Sequence, residues 1–134
     1  MQKIKLVYII DDDPLYNFGM KKLMEITEFA VDARFFLNGE EAVKDLSQRD
    51  LEKAPLPDLI LLDINMPIMN GWQFLDKCCE WDSVQQCSIF VVSSSINREE
   101  IDKATSYPFV DGYILKPMTL DKIKDLKNKI QALI

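Results

Sequence analysis

The sequence predicts an α/β fold, a parallel five-stranded sheet with helices on both faces. Three observations carry that expectation. Short, nearly continuous apolar runs recur at 4–10, 59–62, 89–92 and 110–115, the texture of strands buried on both faces. Longer segments with helically spaced apolar residues separate them, and such alternation implies right-handed crossovers in a parallel sheet. The chain has 134 residues, 48% of them hydrophobic and 28% charged, which suits one core and is too short for two.

Taken in order, residues 4–10 (IKLVYII) form the first strand. Asp13 and Pro14 read as the cap and first turn of a helix whose stripe is Leu15, Phe18, Met20, Leu23 and Met24. Residues 31–36 (VDARFF) are more polar, as in an edge strand. Asn38 caps a helix over 38–52 carrying Ala42, Val43 and Leu46, and the polar segment 48–57 suggests an extended loop before Leu59–Leu62. Trp72, Phe74 and Leu75 mark a third helix over 71–80. Asn97 caps a short, polar fourth helix over 97–105, which Pro108 stops early. After strand Val110–Leu115, Thr119 caps a helix over 119–134 with Leu120, Ile123, Leu126, Ile130 and Leu133 on one face. That helix uses up the residues after Pro117, so a single domain over 1–134 with no output domain is expected.

Composition excludes several classes. Histidine is absent, which removes Ser-His-Asp and Cys-His catalysis and histidine-rich metal sites. Cys78, Cys79 and Cys87 form no CxxC pair and read as packing thiols. The formal net charge of −6 opposes binding to nucleic acid or anionic lipid. No apolar run approaches a membrane span or a signal peptide, so a cytoplasmic location is expected.

In open parallel sheets, function lies beyond the carboxyl ends of the strands. Strand one ends in Asp11-Asp12-Asp13-Pro14, strand three in Asp63-Ile64-Asn65-Met66-Pro67, strand four in Ser93-Ser94-Ser95 and strand five in Lys116-Pro117. Asp11, Asp12 and Asp63 together bring three negative charges that need compensation. Hard carboxylate oxygens without histidine or thiolate favour Mg²⁺ or Mn²⁺, and phosphate oxygens are the usual addition to such an ion. With no Ser, Cys or His nucleophile beside a base, a carboxylate that forms an aspartyl phosphate is the candidate nucleophile.

The stretches YIIDDDP, PDLILLDINMPIMNG, FVVSSS and GYILKP resemble the receiver domains of two-component response regulators, in order and over essentially the whole chain. The resemblance implies a doubly wound, flavodoxin-like receiver fold with strand order 2-1-3-4-5, of the stand-alone type. It implies that Asp63 is the phosphoacceptor and that Asp11, Asp12, Asp63 and the backbone carbonyl of Asn65 hold Mg²⁺. It assigns Ser93 and Lys116 to the phosphoryl oxygens, Pro117 to a cis peptide, and Ser93 with Tyr113 to a switch. Asp13 falls outside the acidic pair. The implied partners are a histidine kinase or histidine phosphotransfer protein, and a downstream protein bound through helix four, strand five and helix five. The implied activity is self-directed phosphorylation and dephosphorylation rather than turnover as an enzyme.

Three other classes fit less well. An aspartate-nucleophile phosphatase uses Asp-x-Asp, and here the second position is Asn65, which is no general acid. A flavin carrier needs phosphate-cradling donors in its first loop, where this chain has three aspartates. An unphosphorylated scaffold receiver would have lost chemical positions, and every one is filled.

Overall fold

The computed structural model, which describes residues 3–134, runs through β1 (Leu6–Ile10), α1 (Pro14–Thr27), β2 (Asp32–Phe36), α2 (Gly39–Glu52), β3 (Leu59–Leu62), α3 (Gly71–Cys78), β4 (Ser88–Ser93), α4 (Arg98–Ser106), β5 (Val110–Leu115) and α5 (Leu120–Leu133). The strands pair in parallel in the order β2-β1-β3-β4-β5. The fold is the doubly wound, flavodoxin-like one expected. Every residue of β1 and β3 is buried, whereas β2 alternates and lies at the edge.

Alternation along the strands divides the interior into two cores. Leu6, Tyr8 and Ile10 face one core with Ala42, Leu46, Phe74, Leu75 and Ala104 of α2, α3 and α4. Val7 and Ile9 face the other with Met20, Met24, Ile123, Leu126 and Ile130 of α1 and α5. Side chains cap the helix starts: Asp13, Asn38, Asn70, Asn97 and Thr119 each accept from a backbone N–H of the first turn.

Several expectations are corrected. Leu15 and Phe18 are 80% and 59% exposed. The buried face of α1 is Asn17, Met20 and Met24, whose i, i+3, i+7 spacing leaves Leu15 and Phe18 outside it. Leu120 and Leu133, at the two ends of α5, are exposed, and the buried face of that helix is Ile123, Leu126 and Ile130. Helix α2 persists to Glu52 and ends on Lys53 with φ 56°, so the loop before β3 is shorter than 48–57. Helix α3 stops at Cys78, and an unforeseen 3₁₀ turn follows at Val84–Gln86. Cys79 is exposed and only Cys78 and Cys87 pack. Helix α4 ends at Ser106, before Tyr107 and Pro108, as expected.

One irregularity interrupts the ladder. Ile89 pairs with Val110, but Phe90 pairs with Gly112, so Asp111 is a bulge without a partner. A Cβ at Gly112 would lie 2.9 Å from the Phe90 ring, so glycine is what lets this ring lie on the strand.

Candidate functional site

The sheet itself places the charged groups. Ladder hydrogen bonds continue one residue past the strand ends: Asp11 N donates to Phe36 O, Asp63 N to Ile10 O and Lys116 N to Ser93 O, at 3.0, 2.9 and 2.8 Å. Register alone therefore sets Asp11 beside Asp63, and Lys116 beyond Ser93. One carboxylate oxygen from each of Asp11, Asp12 and Asp63 lies within 4.8 Å of the others.

The electrostatics are unbalanced. Lys116 Nζ donates to Asp11 Oδ2 at 2.8 Å and lies 3.7 Å from Asp63 Oδ1. It also sits 4.2 Å from the centroid of the Tyr16 ring, a cation–π contact that adds to the hold on the ammonium. One ammonium thus faces three carboxylates. Burial, then the Asp11 charge, push the Asp63 carboxyl up to about 6, against the pull of Lys116. Burial and the same two carboxylates raise the Tyr16 phenol above its ordinary value. Three hard oxygen donors, two sheltered and Asp12 open to water, suit a hydrated divalent cation.

Asp13 points elsewhere. Its carboxylate accepts from Leu15 N and Tyr16 N at 2.9 and 3.3 Å as the cap of α1. Asn65 is exposed in the loop after β3. That loop is tightly held. Gly71 N donates to Ile64 O at 2.8 Å, and a Cβ at Gly71 would lie 2.5 Å from the Asp63 carbonyl. Ile68, with φ 66°, forms a γ-turn closed by Met69 N donating to Pro67 O at 2.7 Å, an unusual backbone for a β-branched residue.

Ser93 is buried, and its hydroxyl donates to Glu100 Oε2 at 2.8 Å while accepting from Ser95 N at 3.1 Å. The Tyr113 hydroxyl lies 2.5 Å from the same Glu100 oxygen and 2.7 Å from Ser95 O. The two residues expected to switch are therefore joined through a third. The peptide Lys116-Pro117 is cis, and Lys122 Nζ donates to Leu115 O and Pro117 O, at 2.6 and 3.2 Å, on either side of Lys116.

Sequence reasoning missed Tyr16, Glu100 and Lys122. Each sits in the first turn of a helix, where it reads as ordinary helix-start chemistry. Glu100, three residues after the cap Asn97, is where an acid usually serves the helix terminus. No spacing rule separates that role from a contact made across a loop.

The response regulator receiver domain family matches residues 7–128. The chemotaxis protein CheY of Halobacterium salinarum is 31% identical over 121 residues, covering 90% of this chain and 92% of its own length. The nitrate/nitrite response regulator protein NarL of Escherichia coli (strain K12) is 35% identical over 117 residues, 87% of this chain. This chain spans about half (50%) of the length of NarL. Among solved structures, a two-component response regulator from Cytophaga hutchinsonii superposes with a TM-score of 0.87 at 28% identity, covering 98% of this chain and 99% of that one. Among the described residues, no helix is long and apolar enough to cross a membrane.

Proposed function

The chain belongs to the response regulator receiver family, and from that premise we propose that Asp63 accepts a phosphoryl group from the phosphohistidine of a kinase or phosphotransfer protein. A carboxylate oxygen of Asp63 attacks phosphorus, a P–O bond forms, the P–N bond breaks, and the imidazole nitrogen leaves with the electron pair. The observation that supports this best is the meeting of Asp11, Asp12 and Asp63 under a single ammonium. An anionic donor is repelled by such a cluster until a cation neutralises it. Mg²⁺ held by the three carboxylates, with the Asn65 carbonyl as a further ligand, would supply that neutralisation.

The remaining work falls to side chains of this protein. Lys116, steadied by Asp11 and Tyr16, offers its ammonium to a phosphoryl oxygen. Ser93 offers its hydroxyl from the next strand. The protein acts on itself and passes the signal on by a change in partner binding. The responding surface is built from α4, β5 and α5, as in the family; the bonds of Ser93 and Tyr113 to Glu100 at the start of α4 support the α4 and β5 part of it.

Labelling with acetyl phosphate tests the reading. Intact-mass spectrometry should show one phosphoryl adduct when Mg²⁺ is present. Chelator or Asp63→Asn should abolish it. An adduct that survives either condition overturns the assignment.

A further inference from the structure

We infer that Glu100 is the positioning residue of this receiver: its carboxylate is the acceptor with which a phosphoryl group on Asp63 must compete for the Ser93 hydroxyl. The inference rests on Asp63 being the phosphoacceptor and adds a residue of this chain to that chemistry.

The geometry is specific. Glu100 lies in the first turn of α4, whose start is fixed by Asn97 accepting from Glu99 N and Glu100 N at 2.8 and 3.4 Å. From there its Oε2 reaches the Ser93 hydroxyl at 2.8 Å and the Tyr113 hydroxyl at 2.5 Å. A serine hydroxyl carries one proton, so it donates to one acceptor at a time. Ser93 lies one position beyond the level of Asp63, because Leu62 pairs with Val91. Both residues leave the same carboxyl edge of neighbouring strands, so on this reading the hydroxyl serves two anionic acceptors: Glu100 on α4 and a phosphoryl group carried at the end of β3.

Transfer of that single hydrogen bond has a defined consequence. When Ser93 turns to a phosphoryl oxygen, Glu100 loses one of its two hydroxyl donors and keeps Tyr113. The Glu100 carboxylate then keeps its bond to β5 and loses its bond to β4. The charge of Glu100 sets how much of the phosphoryl affinity goes into this exchange, since a carboxylate is a far stronger acceptor than a carboxamide.

Beryllofluoride with Mg²⁺ mimics the phosphoryl group and gives a binding constant. Glu100→Gln keeps the shape, weakens the competing acceptor, and should tighten beryllofluoride binding by about tenfold. Glu99→Gln, in the same turn but exposed, should leave it unchanged. In a Ser93→Ala background, Glu100→Gln should have no effect, because the contested proton is gone. Glu100→Ala, a second variant, should also bind more tightly than wild type. Unchanged or weakened binding in both Glu100 variants, or tightening that persists in Ser93→Ala, overturns the inference while leaving Asp63 as acceptor. Wild-type protein that binds no beryllofluoride overturns the phosphoacceptor reading itself.

Discussion

Asp63 carries a negative charge where burial and the Asp11 carboxylate both oppose it, and this has a measurable sign. Its carboxyl is raised from 3.8 to about 6 in the folded chain. Between those values the folded protein holds a proton that the unfolded chain has released, so this group makes stability fall as pH rises. The loss is complete above the folded value and amounts to at most ~3 kcal/mol. In chelator, Asp63→Asn should therefore exceed wild type in stability by up to ~3 kcal/mol near pH ~7.5, and by only ~1 kcal/mol near pH ~4.5. Urea unfolding at the two pH values measures the gap, and a gap of constant size contradicts the account. Asp63, Asp11, Asp12 and Lys116 were legible in the sequence because each directly follows a recognisable strand. Glu100 and Tyr16 were not, because their roles come from contacts across loops that no local pattern encodes.

At the scale of the element, the start of α1 separates two aspartates of like charge. Asp12 is open beside the acidic cluster, whereas Asp13 is spent on the N–H groups of Leu15 and Tyr16. Asp13→Ala should cost ~1 kcal/mol of stability, the usual value of a helix cap, and leave Mg²⁺ affinity nearly intact. Asp12→Ala should weaken Mg²⁺ binding strongly and leave the cap in place. The titration is read from the fluorescence of Trp72, which follows Gly71 at the start of α3 and whose ring lies 4.4 Å from Lys103 Nζ of α4. Trp81 bonds instead to Asp50 at the end of α2, and Trp81→Phe removes its background. Equal Mg²⁺ titrations for the two variants would contradict the division of labour. The caps Asp13, Asn38, Asn97 and Thr119 and the early stop of α4 were legible because Asn, Asp, Thr and Pro act through the local backbone, whereas the cap Asn70 was not read. The buried face of α1 was misread because apolar Leu15 and Phe18 outweighed polar Asn17. Asn17 is buried because its amide donates to Asp11 O at 2.9 Å.

For the whole molecule, alternation of strand-like and helix-like texture was enough to give the layers. β1 and β3 contain almost nothing that could face water, so both flanks had to be covered by helices. The strand order came from resemblance, since local pattern does not say which strands are neighbours. The division into two cores is a property of pairing rather than of composition: Tyr8 and Val7 are adjacent in sequence and serve opposite sides of the sheet. The site lies where those cores end. Asp11 is buried at the rim while Asp12 reaches solvent, and this change of environment over one residue sets a sheltered carboxylate beside one open to water.

The unpartnered Asp111 gives β5 a residue of slack. A chain lacking Asp111 can still pair Val110 with Ile89 and Gly112 with Phe90, now without interruption. Tyr113 to Lys116 would keep their neighbours on β4. The deletion should change stability by no more than ~1 kcal/mol and preserve adduct formation at Asp63. Loss of the adduct would show that the extra residue sets the site. Removing Val92 from β4 should behave oppositely, because a strand without slack turns its following residues to the other face, Ser93 included. The inner and outer ends of β5 are in this sense mechanically uncoupled. The connection around Pro108 can gain or lose length while the ammonium that meets Asp63 stays where it is.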